Sequence, residues 1–205
     1  MKHSLVVLVS LLVPAAAHAD SLDANPNDPG RVTAVHKGVW EIDLGGLAVL
    51  TSDTENETSV TRLSTDFSGK LQYFIRDNIS VGGALLADYE NVGGGVSATT
   101  FGGAAEAVLH LRLGLGAFFR PGIGVGALFG TRQSQVGVGM LEQASQVGVV
   151  VRAQLPIAYF ASRRFLLQAG PQFNFTAGNF TPNGGMATGF TRLAGGFAVA
   201  FGYAF

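Results

Sequence analysis

The sequence predicts an all-β fold: an eight-stranded antiparallel up-and-down transmembrane β-barrel. Three observations carry that expectation. Leu193, Phe197, Val199, Phe201, Tyr203 and Phe205 occupy every second position to the end of the chain, with only Gly195 breaking the series and only Ala or Gly between them. A period of two means a β-strand with one bulky apolar face and one small face, whereas a helix would scatter those rings all round. The same alternation recurs in seven earlier segments, and short turns near residues 76, 114 and 161 alternate with longer connections near 52, 91, 132 and 177. That asymmetry belongs to membrane barrels, whose turns are tight on one side and whose loops are longer on the other. The third observation is side-chain volume, which decides the inside from the outside once the strands are set out.

Composition fits this class. Charged residues make up 13% of the chain, about half the roughly 25% of a soluble domain, and the 29 glycines suit tightly packed strands better than helices. A formal net charge of −1 leaves no basic face for nucleic acid. No cysteine is present, which excludes disulfides, thiolate nucleophiles, cysteine metal sites and a cysteine-linked lipid anchor. Met1-Lys2-His3, the apolar run Ser4 to Pro14 and Ala17-His18-Ala19 form a charged region, a hydrophobic region and a small-x-small site. Residues 1–19 therefore read as a signal peptide cleaved after Ala19, the apolar run being shorter than the roughly 20 residues that span a bilayer.

Residues 20–37, with Asn25-Pro26-Asn27-Asp28-Pro29-Gly30, carry turn residues and no period, and are expected to be a loose amino-terminal segment. The barrel domain is expected over 38–205. Its first strand, about 38–51, sets Trp40, Ile42 and Leu44 against Glu41, Asp43 and Gly45. The second, about 59–75, opposes Leu63, Phe67, Leu71, Tyr73 and Ile75 to Arg62, Asp66, Lys70 and Gln72, and Arg76-Asp77-Asn78 turns into the third. That strand, about 79–90, has Val81, Leu85 and Tyr89 against Ser80, Asp88 and Glu90. The fourth, about 97–112, sets Phe101, Ala105 and Leu109 against Glu106, His110 and Arg112. The fifth, about 117–131, sets Phe119, Ile123, Val125 and Phe129 against Arg120, Gly122, Gly124 and Gly126. Val147, Val149, Val151 and Leu155 oppose Gln146, Arg152 and Gln154 in the sixth, about 145–158. Phe165, Leu167, Phe173 and Phe175 oppose Gln168, Gln172 and Asn174 in the seventh, about 164–176, and the terminal stretch is the eighth.

The same alternation would describe a soluble barrel with apolar residues inside. Volume decides against it. The apolar face carries fourteen rings, among them Trp40, Phe67, Tyr89, Phe101, Phe129, Phe173, Phe197 and Phe201. An eight-stranded interior has room only for a filled core or one small ligand, so that many rings must face outward, toward lipid.

With the alternation closing on a terminal aromatic, the chain from 38 to 205 resembles the small eight-stranded outer-membrane barrels, of which the OmpA transmembrane domain and OmpX are members. Arg120-Pro121-Gly122-Ile123-Gly124-Val125-Gly126 is similar to the Pro-and-Gly pattern that opens the fifth strand in many of them. The resemblance implies residence in the cell outer membrane as a monomer, with outer-membrane lipid and lipopolysaccharide as partners. It also implies that Phe201, Tyr203 and Phe205 form the signal read by the outer-membrane assembly machinery. The chain ends at the eighth strand, so cell-wall anchoring through a peptidoglycan-binding domain is not expected.

Candidate chemistry is sparse. Gly122-x-Gly124-x-x-Ala127 matches part of a dinucleotide fingerprint but opens no helix. Asn56-Glu57-Thr58 and Asn179-Phe180-Thr181 fit a glycosylation pattern that an outer-membrane setting leaves without weight. After cleavage only His36 and His110 remain, too few for a multi-histidine metal site, and no cofactor is expected. Some barrels of this fold modify lipid A with a His beside Ser or acidic partners near the outer leaflet; both histidines here belong to the opposite end, so an enzyme is not expected. The inward charges remain: Glu41, Asp43, Asp66, Asp88, Glu90 and Glu106 against Arg62, Lys70, Arg112, Arg120, Arg132, Arg152 and Arg192. Lone ions in a narrow lumen cost several kcal/mol each, so they must pair. Asp43, Asp66, Lys70, Glu106, Arg120 and Arg152 are expected to form one network that plugs the barrel. The sequence thus predicts a structural or surface protein of the envelope, with a narrow low-conductance pore as the alternative and a lipid A-modifying enzyme behind it.

Overall fold

The computed structural model describes residues 35–205 except 56–57, 94–95, 115, 138–139 and 163, and for 47–64, 91–96 and 134–141 it describes the backbone alone. The described residues form eleven strands: β1 (Trp40–Glu55), β2 (Thr58–Arg76), β3 (Ile79–Gly93), β4 (Val96–Leu109), β5 (Leu111–Gly114), β6 (Ala117–Phe119), β7 (Gly122–Gly137), β8 (Met140–Gln154), β9 (Ile157–Phe160), β10 (Phe165–Pro182) and β11 (Thr188–Ala204). They make eight staves, because β4 with β5, β6 with β7, and β8 with β9 are three interrupted staves. Neighbours pair antiparallel in the order β11-β1-β2-β3-β4-β7-β8-β10, and β10 pairs with β11 to close the ring. Closure runs from Glu41↔Ala204 to Thr54↔Thr191, finished by Trp40 N–H on the Phe205 carbonyl at 2.9 Å and Phe205 N–H on the Trp40 carbonyl at 2.8 Å. The end carrying Trp40 and Phe205 is the lower end.

The interruptions have a covalent cause. Leu109 N–H donates to Pro121 O, Arg120 N–H to Pro156 O and Leu155 N–H to Pro171 O, each at 2.9 Å. A proline accepts but has no N–H to return, so three successive rungs are only half made. The strands expected to run unbroken through the fourth, fifth and sixth staves are interrupted along this line, while the in–out alternation carries on across it in the fifth and sixth.

The upper connections also differ from expectation. The residues read as long loops near 132–144 and 177–189 largely continue the ladder, since β7 reaches Gly137, β8 starts at Met140, and β10 and β11 pair as far as Phe180↔Thr188. Apolar alternation stops where the hydrocarbon stops, but backbone pairing needs no apolar side chain and carries on into polar sequence.

Face assignment follows the ring-volume argument. On β2, Phe67 is 66% exposed and Phe74 is 0% exposed, on opposite parities of one strand. Three rings point inward at the lower mouth. Phe74 packs with Val35 and Ala204, flanked by Val39, Phe118 and Phe160, and this apolar layer caps the lumen. Residues 35–37, read from the sequence as the end of a loose segment, are held beneath it: Gly38 N–H donates to Phe74 O at 2.9 Å and Lys37 N–H to Asp77 Oδ1 at 3.1 Å. That N–H, with the His36 ring at 3.5 Å, holds the Asp77 carboxyl below the usual carboxylate range. Residues 20–34 and the leader lie outside the described residues.

Candidate functional site: the ionic lumen

Strand alternation stacks the inward side chains in levels, and three charged groups occupy them. The lowest joins Glu41 and Asp43 of β1 to Arg120, which sits at the break before β7. Arg120 donates through Nη2 to Glu41 Oε1 and through Nη1 to Gln168 Oε1 at 3.1 Å, with Asp43 Oδ2 at 3.9 Å. Gln168 Nε2 in turn donates to Asp43 Oδ2 at 3.1 Å. Glu41, Asp43 and Arg120 are all within 2% of full burial.

The middle group brings together Lys70, Glu106 and Arg152 from β2, β4 and β8. Lys70 Nζ lies 3.3 Å from Glu106 Oε2 and donates to Gln154 Oε1, while Arg152 Nη1 lies 3.1 Å from Glu106 Oε1. Gly124 stands in register between Glu106 and Arg152. A Cβ there would sit 2.9 Å from Glu106 Cγ, so the missing side chain is what lets the two heads meet.

Highest is Arg192 of β11, which reaches across to β3 and donates to Glu90 Oε2 at 2.8 Å and to Asp88 Oδ2 at 3.4 Å. Asp66 faces Asp88 in register and accepts from Asn174 Nδ2 at 3.1 Å. The six residues expected in one network therefore divide: Asp43 and Arg120 below, Lys70, Glu106 and Arg152 in the middle, and Asp66 above. A cavity of about 60 Å³ remains within the lumen, walled from Gln168 and Lys70 below to Thr100 and Arg192 above, which is room for roughly two waters.

Sequence reasoning missed a branch that leaves the middle group downward. Gln72 Nε2 donates to Glu106 Oε2 at 3.5 Å, Ser80 Oγ donates to Gln72 Oε1 at 2.6 Å, and Ser80 Oγ lies 2.8 Å from His110 Nε2. With the hydroxyl proton committed to Gln72, Ser80 must accept from His110, which fixes the proton on Nε2. His110 also tilts over Phe74 at 4.5 Å between ring centroids. Ser80 is 0% exposed and His110 4%. A nucleophile type and a base type touch here, both buried just above the apolar cap. The shared parity of Lys70, Gln72 and Phe74 was the available signal.

Two of the inward charges read from the sequence lie on the inward parity but outside these three groups, one at each end of the barrel. Arg112 keeps the inward parity, in register with Phe118, but stands exposed at the lower rim below the charged groups. Arg132 lies over the Phe180 ring at 5.5 Å, high on β7. The side chain of Arg62 lies outside the described residues. Phe201 and Tyr203 face outward on the closing stave, opposite Leu44 and Ile42 of β1 and Leu167 and Phe165 of β10, and Phe205 follows at 56% exposure.

A closed ring of eight antiparallel staves, apolar outside and ionic inside, defines the chain as a small transmembrane β-barrel of the outer-membrane type. Solved structures share this fold at low sequence identity. Neisserial surface protein A superposes with a TM-score of 0.55 at 11% identity, covering 82% of this chain and 99% of that one. A major outer membrane protein of Thermus thermophilus gives 0.54 at 9% identity, over 83% and 100%. The N-terminal β-barrel domain of Pseudomonas aeruginosa OprF gives 0.50 at 16%, over 82% and 98%. No family pattern and no curated sequence matches the chain.

Proposed function

We propose that this chain is an exported outer-membrane protein with a structural and surface role, sustaining the envelope and meeting lipopolysaccharide or external molecules through its upper hairpins, and that its lumen is sealed. One observation carries the sealed reading: buried ion pairs occupy every level from Arg120 and Glu41 to Arg192 and Glu90, above an apolar cap. The wild type in planar bilayers is expected to show little or no conductance. Arg152→Ala leaves Glu106 with one cation fewer and room for water, so conductance should rise. Large, stable currents through the wild type would sink the seal and favour a narrow pore. An unchanged mutant would remove Arg152 from the barrier.

In this reading the lower end faces the periplasm and the leader is removed after Ala19. Phe205→Asp should lower the yield of folded barrel in cells several-fold, since it places a charge on the lipid face where the closing stave ends. Heat-modifiable gel migration reports the folded band. An unaltered yield would count against the terminal aromatic as an assembly signal.

A further inference from the structure

Above the middle group the inward parity gathers oxygen on four staves. Asp66 faces Asp88 across β2 and β3, Asp88 faces Thr100 across β3 and β4, and Gly130 stands in register between Thr100 and Gln146. All four of these side chains line the lumen cavity of about 60 Å³. The two carboxyls are close enough to share a proton. Acids in such contact cannot both stay ionised unless something positive joins them.

The remaining oxygens call for a metal rather than a proton. Asn174 occupies Asp66 Oδ2 and Arg192 occupies Asp88 Oδ2, but Asp88 Oδ1 has no hydrogen-bond partner among the described residues. Thr100 is 2% exposed, and its Oγ1 is also without one. Its methyl lies against Gly130, on the side away from Asp88, where an added Cβ would meet it at 2.8 Å. A proton shared by Asp66 and Asp88 would leave that buried hydroxyl orphaned. A cation takes lone pairs from both acids and the hydroxyl at once.

Charge points to two positive units. The three lumen groups hold six carboxylates, Glu41, Asp43, Asp66, Asp88, Glu90 and Glu106, against four cations, Lys70, Arg120, Arg152 and Arg192. Arg152 and Arg192 both face Asp66, yet the groups still lack two positive charges. Higher up, Arg132 and Glu142 add one charge of each sign to the inward parity of β7 and β8. Space selects among divalent ions: Mg²⁺ keeps several of its waters, whereas Ca²⁺ accepts about six to eight oxygens in flexible geometry. Four side chains and the roughly two waters that the cavity admits reach the lower end of that range.

We propose that the upper lumen binds one Ca²⁺ between the Asp66 and Asp88 carboxylates, with the Thr100 hydroxyl and the Gln146 amide oxygen as its further protein ligands. Asp66 and Asp88 are half-buried, so solvent ions reach them. The ion ties β2, β3, β4 and β8 at one level, and because only the folded barrel assembles those ligands, binding adds to its stability. Binding is independent of which end faces the periplasm and of whether the lumen conducts.

The full chain, folded in detergent micelles without lipopolysaccharide and stripped with EDTA, is titrated calorimetrically with calcium chloride and separately with magnesium chloride, and its urea midpoint is read with each. Wild type should take up about one Ca²⁺ per chain, with a raised midpoint, and bind Mg²⁺ about tenfold more weakly or worse. Asp66→Asn should lose binding. Thr100→Val keeps the shape and removes one oxygen; it should fold, with an affinity for Ca²⁺ lower by about fivefold or more. Glu142→Gln removes an acid higher on β8 and should bind as wild type does. A wild type that takes up no Ca²⁺ overturns the site and leaves the two acids sharing a proton. Unchanged affinity in Asp66→Asn or in Thr100→Val overturns it too, as does an equal loss in Glu142→Gln, by putting the ion on other acids. Should Asp66→Asn not fold, Thr100→Val decides alone.

Discussion

Arg120→Ala is expected to destabilise the folded barrel by about 3–5 kcal/mol, the cost of removing one partner from a buried ion pair. Its guanidinium is the cation in hydrogen-bond contact with Glu41 and also faces Asp43, and those two carboxylates are 0% and 2% exposed. Without Arg120 they lie close together in a narrow space with little water, and one must take up a proton or draw solvent in. The measurement is the urea midpoint of the heat-modifiable band in detergent micelles. Adding Glu41→Gln to Arg120→Ala should restore part of the loss, because the excess charge goes with the carboxylate. A single variant as stable as wild type would mean that solvent already reaches this level.

Gly126→Val should cost about 3 kcal/mol or more, because extra atoms are forced into a wall that cannot give. A Cβ at this position would collide with the Gly103 carbonyl, and would lie 2.6 Å from Ala104 Cα and 2.7 Å from Ala104 Cβ. Backbone on the neighbouring stave is the obstacle, and moving it would open the β4–β7 ladder at Ala104↔Gly126. Gly83→Ala, with its nearest neighbour at 3.7 Å, is the matched control and should fold normally. If both variants give the same folded fraction on gels, the close approach at Gly126 does not limit this barrel.

The alternation of side chains made the staves, their faces and the charged lumen legible in the sequence, because a period of two is a property of the backbone itself. Partner choice across the lumen was not legible. Glu41 meets Arg120, and Asp88 meets Arg192, by reaching over the barrel interior, and such pairs depend on how far each stave is staggered against the next. Parity says only that both point inward. The upper ends of the staves were hidden for a different reason: above the apolar band, β7, β8, β10 and β11 are held by backbone pairing, which leaves no trace in hydrophobicity. The breaks at Arg120 and Leu155 were signalled by Pro121, Pro156 and Pro171, residues that a period-two reading passes over.

Closure of the ring has a consequence for how the chain folds. Every other contact between neighbouring staves joins segments consecutive along the chain, so those pairings can form as local hairpins, quickly and at small entropic cost. The β1–β11 ladder, Glu41↔Ala204 to Thr54↔Thr191, joins the two ends of the barrel domain. Its loop-closure entropy is the largest in the molecule, although that cost grows only with the logarithm of length. Until it forms, the curled sheet has two open edges that present unpaired N–H and C=O groups to hydrocarbon or to another chain. Formation of that single ladder is therefore the event that turns an aggregation-prone sheet into an edgeless barrel, and the chain reaches it only once β11 has been delivered.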